Sequence, residues 1–142
     1  MRTLKLFSLA IIILSSCNKT SVQTNNYYVA FSTTLNGASE VPANASAIKG
    51  SASAVYNKSS GILTVNVTWS GLTATTAHIH TGAVGVSGAI IFTFPNLTSP
   101  INYTSVALTG VQESDLLANL YYVDIHSAAY PNGEIRGQLI MQ

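Results

Sequence analysis

Lys49-Gly50-Ser51-Ala52-Ser53-Ala54-Val55-Tyr56, then Asn57-Lys58-Ser59-Ser60-Gly61, then Ile62-Leu63-Thr64-Val65-Asn66-Val67-Thr68-Trp69-Ser70, is the stretch that decides the fold. In its last third Leu63, Val65, Val67 and Trp69 alternate with Thr64, Asn66, Thr68 and Ser70, a period of two that places one set on each face of a strand. The first third alternates small residues, and Asn57 to Gly61 has the polar, glycine-ended composition of a turn. Together they predict a β-hairpin with one buried face.

The same period extends outward. Tyr27, Val29, Phe31, Thr33 and Leu35 alternate with Tyr28, Ala30, Ser32 and Thr34, and a loop holding Gly37 and Pro42 follows from Asn36 to Ala47. Further strands are predicted at Ala77 to Thr81, Ala89 to Phe94, Tyr103 to Leu108, Tyr121 to Ser127 and Glu134 to Met141. Gly82-Ala83-Val84-Gly85-Val86-Ser87-Gly88 reads as a loop or bulged turn, and Tyr130-Pro131-Asn132-Gly133 as a turn. The one helical signal is Gln112 to Leu120, opened by Glu113 or Ser114, with Leu116, Leu117 and Leu120 on one side. The expected fold is all-β: an antiparallel, Greek-key-like sandwich or barrel of about seven to eight strands with one short connecting helix, formed by residues 27–142.

The beginning of the chain belongs to a different category. Met1-Arg2-Thr3-Leu4-Lys5 precedes an apolar run from Leu6 to Leu14 that is too short to span a bilayer, so residues 1–16 read as an export signal peptide. Leu14-Ser15-Ser16-Cys17 resembles a bacterial lipobox, in which the cysteine is lipidated and becomes the first mature residue. Residues 17–26 then form a polar tether. The expected location is the cell envelope, on the periplasmic or surface side of a membrane held through lipid at Cys17. Because Cys17 is the single cysteine, no internal disulfide forms and the core alone must hold the fold.

Charged residues make up 8% of the chain. Beyond the export signal, Lys19, Lys49, Lys58 and Arg136 stand against Glu40, Glu113, Asp115, Asp124 and Glu134, a net charge of −1. There is no basic patch to meet phosphates, so nucleic acid is excluded as a partner and the expected partner is an unspecified protein or ligand. No Gly-x-Ser-x-Gly elbow accompanies the many serines, and catalysis is not expected.

Against this sparse background all three histidines fall in two short stretches, His78-Ile79-His80 and Asp124-Ile125-His126, the latter followed by Glu134-Ile135-Arg136. On strands His78 and His80 share a face, as do Asp124 and His126, and Glu134 and Arg136. Two readings stay open. If the strands are neighbours, His78, His80 and His126, with Asp124 as a ligand or close by, form a mononuclear copper or zinc site. Alternatively the histidines belong to a buried polar layer with Tyr121, Asp124, Glu134 and Arg136, in which Arg136 pairs with a carboxylate.

The blocks Phe31-x-x-x-Leu35-x-Gly37-x-x-Glu40-Val41-Pro42, Gly71-Leu72, His78-Ile79-His80-x-Gly82-x-x-Gly85-x-x-Gly88 and Tyr122-Val123-x-Ile125-His126-Ser127-x-x-Tyr130-Pro131-x-Gly133-Glu134-Ile135-Arg136-Gly137-Gln138 resemble the CHRD domain, the chordin-type family. The resemblance implies an exported β-domain acting as a binding or structural module, with His78, His80, His126, Glu134 and Arg136 at the family's recurring positions. A fainter similarity links the His-x-His pair and the late histidine to copper/zinc superoxide dismutases. That chemistry needs more histidines for a second, bridged metal than this chain has.

Overall fold

The computed structural model describes residues 27–142; the export signal, Cys17 and the tether lie outside the described residues. Nine strands form the domain: β1 (Tyr28–Asn36), β2 (Lys49–Asn57), β3 (Ile62–Trp69), β4 (Ala74–Thr81), β5 (Ile90–Thr93), β6 (Ile101–Thr104), β7 (Tyr121–Ser127), β8 (Ile135–Gln138) and β9 (Ile140–Met141). One helix, α1 (Gly110–Leu117), joins β6 to β7, and a 3-10 turn at Gly37–Ser39 follows β1. The strands make one antiparallel sheet in the order β5-β4-β7-β8-β1-β2-β3-β6, with β9 beside β1. The sheet curls into a half-barrel. Its edges approach through aromatic side chains: Phe92 of β5 and Phe94 lie 5.8 and 5.2 Å, centroid to centroid, from Tyr103 of β6.

The expected hairpin is present, with Ala52 opposite Val67, Ala54 opposite Val65 and Tyr56 opposite Leu63. All six are buried, as are Phe31 and Leu35 of β1. Their alternate neighbours Ser51, Ser53, Val55 and Thr64 are exposed, so the period of two maps onto one face against the core and one against solvent.

Several boundaries differ from the sequence-based expectation: β4 begins at Ala74 rather than Ala77, and three further differences have a visible cause. The strand expected at Tyr103 to Leu108 is instead Ile101–Thr104, because it pairs with Thr64 to Val67 and β3 begins only two residues beyond Thr64. The helix starts at Gly110 rather than near Ser114. Thr109 caps it, accepting from Gln112 N while the Gln112 side chain accepts from Thr109 N, a reciprocal capping box. The last strand is split at Leu139, whose side chain is fully buried and whose N–H donates to Tyr121 O.

Candidate metal centre

Strands β4, β7 and β8 lie inside the sheet and use both faces. Ala77, Ile79, Tyr121, Val123, Ile125 and Ile135 face the core. The opposite face carries His78 and His80 of β4, Tyr122, Asp124 and His126 of β7, and Arg136 and Gln138 of β8, since alternate residues point to opposite sides. Register sets them in rows: His78 opposite Asp124 opposite Arg136, and His80 opposite Tyr122 opposite Gln138. Thr76 faces His126 in the next row.

Loops close over this second face. Arg136 Nη2 donates to Ala83 O and Val86 O, and Gln138 Nε2 to Gly82 O, which hold the glycine-rich loop 82–88 down. Asn44 Nδ2 donates to Gly133 O and Glu134 O, which ties the segment after β1 to the turn before β8. Asp124, Glu40, Glu134 and Arg136 are consequently all buried, although all four are ionisable and none is in an ordinary core position.

The three imidazoles converge. One ring nitrogen from each of His78, His80 and His126 lies within 4.8 Å of the others. The His78 ring stands edge-on to both partners, 5.3 Å from His80 and 5.1 Å from His126 between centroids. His80 Nδ1 meets Gly88 O at 3.0 Å and His126 Nδ1 meets Pro131 O at 2.9 Å. A carbonyl only accepts, so both rings carry a proton on Nδ1, and in the neutral imidazole Nε2 is then the lone pair. Those Nε2 atoms, with His78 Nδ1, are buried without a hydrogen-bond partner among the described residues. Burial, followed by the neighbouring His126 and His80, lowers the His78 pKa and favours its neutral, ligating form.

Asp124 lies across this group, Oδ1 at 3.4 Å from His126 Nε2 and Oδ2 at 3.9 Å from His80 Nε2. Burial raises its pKa against the opposing pull of His126 and His80. Behind it stands a residue not foreseen as part of the site, Glu40. Burial first and Asp124 second push Glu40 up to about 8. The two carboxyls sit against Gly133, where an added Cβ would come 2.7 Å from Glu40 Oε2 and 2.9 Å from Asp124 Oδ1. The signal available for finding Glu40 was its place in the block Gly37-x-x-Glu40-Val41-Pro42, as one of only five acidic residues in the chain.

The pairing of Arg136 with a carboxylate is corrected. Its guanidinium lies 3.4 Å from the Tyr122 ring centre and donates to loop carbonyls, while Glu134 Oε1 accepts from Ser46 Oγ. Arg136 affects Asp124 and Glu40 only through its charge. Tyr121 is also removed from the polar layer: it faces the core, where burial, with Asp115 nearby, pushes its hydroxyl up to about 12. Tyr122, its neighbour, takes that place and stacks on His80 at 4.8 Å with 7° between the planes.

Fold and site define a class: a curled antiparallel β-domain whose second sheet face holds three converging imidazoles and a buried acid pair. The family comparison agrees with the sequence blocks, since the CHRD domain matches residues 31–139, and the chain belongs to the CHRD family. No curated protein and no solved structure matches it.

Proposed function

We propose that this CHRD domain is a binding module whose ligand is a single metal ion, copper or zinc, held by His78 Nδ1, His80 Nε2 and His126 Nε2. One observation carries the reading: three imidazoles converge to within 4.8 Å, nitrogen to nitrogen, and each has a buried ring nitrogen without a partner among the described residues. A buried polar atom left unpaired costs roughly 1–3 kcal/mol, and three at one point are best explained by a shared partner. Two of the rings are also held through their other nitrogen by a backbone carbonyl, the usual support of a metal-ligating histidine. Asp124 supplies a fourth donor, which closes the set and favours holding over catalysis. Imidazole donors suit both metals, and Cu(II) binds more tightly than Zn(II) to such a set.

In the same reading the domain is exported, anchored through lipid at Cys17 and presented from the envelope on the tether of residues 17–26. Copper and zinc titration of the domain tests the metal part. The expected result is one equivalent bound with Kd below about 1 μM, and loss of that binding in His78→Ala, His80→Ala and His126→Ala. No binding tighter than this, or binding indifferent to His78→Ala, would refute it.

A further inference from the structure

Arg136 is 3% exposed, and the established polar contacts of the site do not explain a buried guanidinium. Its surroundings form a closed circuit. The guanidinium lies 3.4 Å from the centre of the Tyr122 ring, and the Tyr122 ring stacks on His80. Arg136 Nη2 donates to Ala83 O at 3.2 Å and Val86 O at 2.9 Å. Gly88, at the end of the same loop, donates from its N–H to Tyr122 Oη at 3.0 Å and offers its carbonyl to His80 Nδ1 at 3.0 Å. Within this circuit the loop carbonyl is the partner that selects the His80 tautomer.

The geometry points to Arg136 as a positioning residue for the metal centre: it pins loop 82–88 against the sheet so that Gly88 O stays on His80 Nδ1 and Nε2 stays a lone pair. A planar, permanently charged group suits this task, since it stacks on an aromatic face while its N–H groups reach two carbonyls. The loop backbone is itself closely set. A Cβ on Gly88 would fall against Thr81 O, and Gly85 at φ +78° makes the reversal between Ala83 and Val86. His126 is independent of this device, because its carbonyl comes from Pro131 in another turn.

The role matters through the metal binding proposed above, but the tautomer is read in the metal-free protein, so failure of one is distinguishable from failure of the other. The probe is the pair of ring-nitrogen shifts of each histidine in the 15N-labelled protein, about two pH units above the ordinary histidine pKa of roughly 6.5. In the parent protein His80 and His126 should both show Nδ1–H alone. In Arg136→Met the Nε2–H form should appear at His80 and not at His126, and copper affinity should fall about 10–100-fold. Arg136→Lys should lie between. Tyr122→Phe keeps both stacking contacts and deletes only the Gly88 bond, so it should give a smaller effect of the same kind if Arg136→Met does not fold. His80 remaining purely Nδ1–H in every variant that folds, or His80 and His126 changing together, would overturn the assignment.

Discussion

Gly133 has no side chain because two carboxyl groups occupy the space one would need. Its φ of +122° adds a second requirement for glycine. Gly133→Ala should therefore destabilise the domain by about 1–3 kcal/mol, read as a lower urea midpoint with unchanged m. The acid pair it packs against also sets a pH dependence. Glu40 holds its proton to about 8 in the fold against an ordinary 4.5. Between those values the folded state binds more protons than the unfolded chain, so this contribution is full below 4.5 and is lost as pH rises through about 8. His78, lowered in the fold, acts in the opposite sense, losing stability as pH falls through its ordinary value. Glu40→Gln should remove the decline toward pH 8 in the metal-free protein, measured as urea midpoint against pH. An unchanged pH profile would show that Glu40 does not keep its proton in the fold above its ordinary value.

Among the elements, β7 differs most from the simple alternation seen in β3. Every residue from Tyr121 to Ile125 is buried, because β7 is flanked by β4 and β8 and loops cover its polar face. Its sequence still alternates in chemistry, apolar Val123 and Ile125 against Asp124 and His126, so the strand is legible while the burial of its polar half is not. α1 shows the complementary case: it carries a readable capping box one turn before the leucines that drew attention to it. Thr109→Ala should cost about 0.5–2 kcal/mol through loss of that cap. Leu63→Ala in β3, fully buried opposite Tyr56, should cost about 2–5 kcal/mol. Both are measurable by chemical denaturation, and a larger loss at the cap than at Leu63 would contradict the account of where the stability lies.

At the level of the whole molecule, the sheet has no disulfide to close it and relies on burial plus the Phe92, Phe94 and Tyr103 contacts between its edges. If β4 and β7 share a metal, binding stabilises the fold by mass action. Metal at 100 times Kd should add about 2.7 kcal/mol to the unfolding free energy, and a chelator should reverse it. A concentration-independent melting temperature would contradict specific binding. The proposed anchor makes a separate prediction: Cys17→Ser should move the protein from the membrane to the soluble fraction on cell fractionation, and continued attachment would remove the lipidation reading.

The amino-acid order alone determined that this is an antiparallel β-domain, which strands alternate, and that His78, His80, Asp124 and His126 present their side chains in same-face pairs, because each of these depends on a period of two within a few residues. It also carried the family blocks. Tertiary structure decided the rest: β4 lies beside β7 though paired residues are forty or more positions apart, loop carbonyls choose the histidine tautomers, Glu40 enters behind Asp124, and Arg136 turns from the carboxylates to Tyr122 and the loop. Those outcomes depend on strand order and on how distant loops fold back over one face of the sheet, contacts between remote positions that no local pattern encodes.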